Sequence, residues 1–308
     1  MCKYLVNSKS DSTVRKYYIY FQKWQSFCKE NSFDPMPAQP IHVAIYVTRL
    51  LDLQSSYSVI SASVYSIKWA HSLCGKSDPT DNGFVTNLLE TSKRLRSNKT
   101  IKKDVVTSEM LKELCLLYAG STDLLDIRDL CMILIGYSGF LRYDELSKLK
   151  CCNVKIFDTY FSLRIDSSKT DRYRKGEEIL IAKGDSIACP YLMLRKYLGL
   201  AAIELSSDHF LFKPMFRSGN KCSLMYKNKS LSYTRAKECI LSKLRRINPN
   251  LNLGLHSLRA GGATAAANAG VSDRCLKRHG RWKSDSSKDG YIEDSFENRI
   301  EITKHLGL

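Results

Sequence analysis

His256-Ser257-Leu258-Arg259, then Gly280-Arg281-Trp282, then Tyr291 decide the reading of this chain, and Arg142 and Lys169 upstream complete it. His256 and Arg259 stand at i and i+3 where a helix is predicted to begin, so one face carries both. A helix N-terminus presents free N–H groups and a positive dipole, which suits a phosphate. Ala260-Gly261-Gly262-Ala263 and Ala265-Ala266-Ala267 follow, and side chains that small predict close packing against another helix. H-x-x-R by itself is a weak motif; its meaning comes from what surrounds it.

Upstream, Gly139-Phe140-Leu141-Arg142-Tyr143-Asp144-Glu145 begins within the end of the most apolar stretch of the chain, Leu130 to Leu141. That stretch is too short to span a bilayer and reads as a buried helix. Arg142 emerges where it ends, with Glu145 three residues on and within reach. A nearly buried arginine needs a fixed anion. Two partners remain open, a salt bridge to Glu145 or a ligand phosphate.

Composition narrows the partners. The 308 residues suffice for one large domain or two ordinary ones, and 44% apolar residues indicate a folded chain. Lys and Arg number 48 against 31 Asp and Glu, a net charge of +17 that favours a polyanion. Residues 1–100 hold 13 basic and 7 acidic side chains (+6), leaving +11 beyond, so the basic surface is broad rather than a tail. The eleven cysteines include no C-x-x-C, which argues against a zinc ribbon and for a reducing, intracellular compartment. Cys275 and His279 could share a helix face, but no second ligand pair accompanies them, so no metal is expected. Met1-Cys2-Lys3 opens no apolar leader.

Organisation follows from periodicity. Asp11-Ser12-Thr13 offers an N-cap before Val14, Tyr17, Tyr18, Phe21, Trp24 and Phe27 at helical spacing. Three more apolar stripes follow: Ile41 to Leu50, Val59 to Leu73, and Phe84 to Leu95. Residues 1–98 are therefore predicted to be a helical bundle with these aromatics in its core. Residues 99–106 form a basic linker, in which Lys99, Lys102 and Lys103 either sit in solvent or lie along phosphates. Residues 107–308 form a second domain, mainly α with a small antiparallel β-sheet from Val154–Phe157, Tyr160–Ile165 and Glu178–Ala182. The polar stretch between the last two strands carries Lys169 and Arg172. Further helices are predicted at Pro190–Leu200, Tyr233–Arg246, His256–Asn268, Ser272–His279 and Ser295–His305, the fold class being α+β.

In order, Arg142, Lys169, His256, Arg259, Trp282 and Tyr291 resemble the catalytic pattern of tyrosine recombinases, the phage (lambda-type) integrase family. The separations are 27 residues from Arg142 to Lys169, 114 from Arg142 to His256, 23 from Arg259 to Trp282 and 9 from Trp282 to Tyr291. The resemblance covers roughly residues 10–300 and makes the first domain a SAM-like core-binding domain. It departs in two places. Histidine is commonest in the family where Trp282 stands, with His279 three residues earlier as possible substitute, and the segment after Arg259 is unusually glycine-rich.

The resemblance implies a site-specific DNA recombinase or integrase with no metal or nucleotide cofactor. Tyr291 would be the nucleophile, giving a 3′-phosphotyrosyl intermediate. Arg142 and Arg259 would bind the phosphate, joined by His256 and Trp282, while Lys169 would protonate the leaving oxygen and Glu145 would orient Arg142. The implied partners are double-stranded DNA, contacted by Lys99, Lys102, Lys103 and Arg172, and further copies of the chain in a tetramer on synapsed DNA; no membrane is involved. Alternatives are strand relaxation of the type IB topoisomerase kind and a silent, domesticated DNA-binding protein. Trp282 and the Arg278-His279-Gly280-Arg281 run resemble recombinases of eukaryotic mobile elements (DIRS or Crypton type), which would place the protein in the nucleus; otherwise a cytoplasmic location is expected.

Overall fold

The Ser10 hydroxyl accepts the Thr13 N–H and starts the first long helix, one residue before the signal read from the sequence. A computed structural model describes residues 2–6, 8–96, 102–166, 176–219 and 221–306, within two units, Met1–Ile101 and Lys102–Leu308. The first unit is helical: α1 (Cys2–Val6), α2 (Asp11–Glu30), α3 (Pro40–Asp52), α4 (Tyr57–Leu73) and α5 (Gly83–Arg96). Trp24, Phe27, Val43, Val47, Ile60, Ile67 and Val85 close its core. The aromatic stripe of α2 splits as its helical spacing requires. Trp24 and Phe27 are buried, Tyr18 faces solvent, and the Trp24 indole N–H donates to Pro35 O at 3.1 Å. Phe84 and Leu95, expected in the fourth stripe, lie outside the core.

The second unit is built around α7 (Leu124–Ser138), preceded by α6 (Ser108–Leu117). Eleven consecutive or near-consecutive residues of α7 are buried, from Leu124 to Gly136, which places this helix at the centre. Two of them are charged. Arg128 and Asp129 pair at 2.6 Å, and Arg128 also donates to Lys213 O at 3.2 Å, so the burial of both ions is compensated. After α8 (Tyr143–Lys148) come β1 (Val154–Ile156), β2 (Tyr160–Ile165) and β3 (Glu177–Ala182), an antiparallel sheet in the order β1-β2-β3. The register pairs Leu163 with Val154 on one side and Ile179 on the other, aligning one apolar face on the core.

Next come α9 (Pro190–Leu200), the hairpin β4 (Met215–Ser218) and β5 (Lys221–Leu224), α10 (Tyr233–Ile247), α11 (Leu255–Asn268), α12 (Asp273–Gly280), α13 (Asp285–Asp289) and α14 (Phe296–Lys304). The second hairpin was not expected from the sequence, although Gly219-Asn220 between alternating residues is a recognised hairpin signal. Among the described residues no helix is long and apolar enough to cross a membrane.

The small-residue run of α11 explains how that helix is seated. A Cβ on Gly261 would lie 1.9 Å from Val106 O, and one on Gly262 would lie 2.2 Å from Tyr137 O. Both obstacles are backbone, so neither can swing aside. Gly261→Ala should therefore force α11 off the Val106 segment and Gly262→Ala should force it off α7, each destabilising the protein by about 1–3 kcal/mol or more, as overpacking does. Thermal unfolding checks this, and an unchanged midpoint would show that the helix packs differently.

Candidate active site

The turn between α7 and α8 sets the first arginine. Phe140 adopts a left-handed conformation (φ 46°), which reverses the chain after Gly139 and brings Arg142 to the N-cap of α8. Glu145, in the first turn of α8, accepts the Arg142 backbone N–H at 2.9 Å and its guanidinium Nη1 at 2.8 Å. The salt bridge thus forms, yet the two side chains are not equally buried. Glu145 is 1% exposed and Arg142 keeps 14%, so the cation retains an open side.

Arg259 comes from the first turns of α11 and is fully buried. Its two Nη groups donate to Phe140 O and Gly280 O, and Nη1 lies 3.9 Å from Glu145 Oε2. The guanidinium lies 4.5 Å from the Trp282 ring centroid and 5.0 Å from that of Tyr291, so two neighbouring aromatic rings share one cation. Burial, then the neighbouring Arg142 and Arg281, push the Arg259 guanidinium down to about 9, against the pull of Glu145. Cations held this way gain from an added anion. The Nε of Arg259 and the Nε1 of Trp282 are buried donors with no acceptor in the described chain. Two orphan donors beside a crowd of guanidiniums suit a ligand made of acceptors alone, as a phosphodiester's free oxygens are.

Trp282 follows the end of α12. Arg281 is in the left-handed region (φ 56°, ψ 40°), and the Trp282 N–H donates to Lys277 O at 3.0 Å. This folds the indole back over Gly280, where a Cβ would meet the ring at 2.0 Å. Trp282 packs in a small cluster with Phe140, Ala263 and Leu276, and Tyr291 leans on the same cluster with its ring 5.6 Å from the indole. Tyr291 lies in the turn between α13 and α14, tied by its N–H to Lys288 O at 2.9 Å and by its carbonyl to the Thr264 hydroxyl at 3.3 Å. His256, exposed in the first turn of α11, has its ring centroid 6.3 Å from that of Tyr291.

Arg142, His256, Arg259, Trp282 and Tyr291 are thus brought together around Glu145 and the Phe140 carbonyl. His279 is engaged elsewhere: its Nε2 lies 2.8 Å from Ser138 O and its ring meets Phe140 edge-on. Burial holds that ring below the usual imidazole range. Cys275, on the same helix, is exposed, and no group of described residues could hold a metal ion. Lys99, Lys169 and Arg172 lie outside the described residues. Lys102 and Lys103 are engaged within the chain, Lys102 with Glu293 at 3.1 Å and Lys103 with Asn252.

One member of the site was not foreseen. The Arg281 guanidinium is 1% exposed and pairs with Glu145 Oε2 at 2.8 Å. In sequence it stands as a spacer between Gly280 and Trp282, and nothing in its type or spacing signals an inward side chain.

Comparisons with known proteins bear on this arrangement. The model of the phage integrase family matches residues 105–298. An integrase/recombinase XerD homolog of Selenomonas ruminantium is 26% identical over 293 residues, covering 94% of this chain and 83% of that protein. Recombinase Cre of Escherichia phage P1 is 22% identical, covering 92% of this chain and 84% of that protein. Among solved structures, XerH site-specific recombinase bound to palindromic difH substrate in a post-cleavage complex aligns with a TM-score of 0.61 at 13% identity. That alignment spans 96% of this chain and 77% of the other. A lambda integrase dimer bound to a COC′ core site aligns at 0.51 and 15% identity, over 93% and 73% of the two chains. At such identities the likeness is one of fold, a helical N-terminal region followed by an integrase-type unit.

Proposed function

The chain belongs to the phage integrase family, a family of tyrosine-type recombinases, and on that premise we propose the route by which it breaks and rejoins DNA. Tyr291 Oη attacks the scissile phosphorus, the bond from phosphorus to O5′ breaks, and a 3′-phosphotyrosyl protein and a free 5′-hydroxyl result. Arg142 and Arg259 hold the non-bridging oxygens and stabilise the pentacoordinate transition state. The Trp282 indole N–H donates to the same phosphate. His256, beside the Tyr291 ring, accepts the phenol proton as Oη attacks. Lys169 passes its proton to the leaving O5′ as general acid. Glu145 orients arginines and does not contact DNA.

The observation that carries this reading is the contact of the Arg259 guanidinium with both the Trp282 and the Tyr291 ring. It puts nucleophile, cation and indole donor within one side-chain layer of each other. Trp282 rather than His279 takes the donor role, because its Nε1 lacks an acceptor while the His279 ring is bound to Ser138 O. The first unit serves as core-binding domain, and double-stranded DNA is the partner, with Lys99, Lys102, Lys103 and Arg172 along its phosphates. Engagement of Lys102 and Lys103 with Glu293 and Asn252 means that these two must exchange partners on binding.

Assembly into a tetramer on synapsed DNA is supported by α14, whose Phe296 and Ile300 are exposed. Membership of a eukaryotic DIRS or Crypton branch, with nuclear location, rests on Trp282 and the Arg278-His279-Gly280-Arg281 run; the relatives named above come from a bacterium and a phage.

Incubation with nicked suicide duplexes tests the proposal as a whole. The expected result is a protein–DNA adduct that survives denaturant, is joined through the 3′ phosphate, and maps to one sequence when the trapped DNA is read. Two differently labelled duplexes should exchange strands in a complex holding four protein copies. Relaxation without exchange would indicate topoisomerase-like action, and no adduct at all would indicate a silent DNA-binding protein.

A further inference from the structure

We propose that Arg281 is a positioning residue for strand cleavage. Its buried guanidinium acts as the internal counter-ion of Glu145 and so leaves Arg142 and Arg259 their positive charge for the scissile phosphate. The proposal rests on the site reading above and adds to it a residue that no part of that reading uses.

The first argument is charge. Three guanidiniums, those of Arg142, Arg259 and Arg281, approach the single carboxylate of Glu145. Three positive charges and one negative leave +2 at the site. Without Arg281, two arginines and one carboxylate leave +1, and the carboxylate's field opposes any phosphate drawn to Arg142. In a buried site such a field is weakly screened, so one uncompensated carboxylate is felt strongly.

The second argument is geometry. The Arg281 Nη1 donates to His279 O at 2.5 Å and to Gly139 O at 3.3 Å, while Nη2 donates to Phe140 O and Glu145 Oε2, both at 2.8 Å. Every one of these acceptors belongs to the chain itself. Both of its Nη groups are therefore committed to the scaffold, whereas Arg142 keeps an open side. Two of the four acceptors are shared with the arginines that face the phosphate. Phe140 O also receives Arg259 Nη1, and Glu145 also receives Arg142. Arg281 consequently fixes both the carbonyl that aims Arg259 and the carboxylate that aims Arg142.

Its backbone supports the same reading. Arg281 caps α12 in the left-handed region, a position that glycine occupies most easily. A long charged side chain sits there, turned fully inward, and the next residue is Trp282. The turn that seats the indole and the cation that neutralises Glu145 are one structural unit.

Single-turnover adduct formation on a nicked suicide duplex tests the charge role against a packing role. Arg281→Met should slow adduct formation roughly 30-fold, in the range of a lost electrostatic contribution. DNA affinity, measured in a Tyr291→Phe background, should change less than about threefold, since phosphate contacts elsewhere dominate binding. Arg281→Lys keeps the charge but can serve few of the four acceptors, and should stay within about fivefold of wild type. The deciding variant is Arg281→Met with Glu145→Gln, which removes the carboxylate's charge together with its counter-ion and leaves neither buried alone. It should form adduct at least about threefold faster than Arg281→Met, even though Arg142 and Arg259 lose the carboxylate that they share. A double variant as slow as Arg281→Met, or Arg281→Lys as slow as Arg281→Met, overturns the proposal in favour of a packing role. Should Arg281→Met fail to fold, the double variant's rate alone decides. Wild type forming no adduct would instead refute the site reading itself.

Discussion

Tyr291→Phe will bind duplex DNA as wild type does and form no covalent adduct with it, a loss of at least about 10⁴-fold in strand cleavage, or roughly 5.5 kcal/mol in the barrier. The two halves of that expectation have separate causes. Phenylalanine keeps the ring that packs on Trp282 and Ala263 and that lies under Arg259, so the pocket and the loop around residue 291 should persist. The chain fixes this loop through backbone groups, the Tyr291 N–H on Lys288 O and the Tyr291 carbonyl on Thr264, and neither depends on the phenol oxygen. What disappears is the single atom that can form a bond to phosphorus. Binding should be read by gel shift at fixed salt, since affinity for phosphates depends steeply on ionic strength. Cleavage should be read as denaturant-stable adduct on a nicked duplex. If the variant relaxes supercoiled plasmid as fast as wild type, another of the seventeen tyrosines is the nucleophile.

The site was legible in the sequence where its residues carry distinctive chemistry at recognisable distances, and illegible where tertiary structure gives an ordinary residue its role. Arg142, His256, Arg259, Trp282 and Tyr291 could be singled out because helix ends and spacing limit where such side chains point. Gly261 and Gly262 could be read as a sign of close packing, but Val106 and Tyr137, the backbone groups that make glycine necessary, are distant in the chain. Arg281 was out of reach. Its role comes from a left-handed turn and from Glu145, 136 positions earlier, and a basic residue in a stretch containing Arg274, Lys277, Arg278 and Lys283 gives no local sign of burial.

Helices with strong apolar periodicity, such as α9 and α10, fall within a residue of their expected ends. The three strands of the sheet were expected and are found, but other short elements were missed. The turn α8, the helix α13 and the hairpin β4–β5 hold too few residues for a period to emerge.

Glu145→Ala will destabilise the second unit by about 3–5 kcal/mol, the usual consequence of stranding buried charge. The carboxylate is 1% exposed and accepts from two guanidiniums and one backbone N–H, so its removal leaves Arg281 and the fully buried Arg259 without an anion. For a unit of this size that corresponds to a fall of roughly 10 °C in the unfolding midpoint. The pH dependence identifies the cause. Burial pushes the Glu145 carboxyl up, but Arg281, the Arg142 N–H and the Arg142 guanidinium outweigh it and hold the group below the usual carboxylate range. An unfolded glutamate titrates near about 4.3. The stabilisation from ionised Glu145 is therefore complete above that value and fades as pH falls through the lower, folded one. Denaturant titrations should show the full gap between wild type and variant at pH 7 and a narrowing gap below about pH 4. A gap of the same size at pH 7 and at low pH would assign the loss to packing volume instead of charge. No gap at neutral pH would mean that the three arginines do not depend on this carboxylate, and the electrostatic account of the site would fall with it.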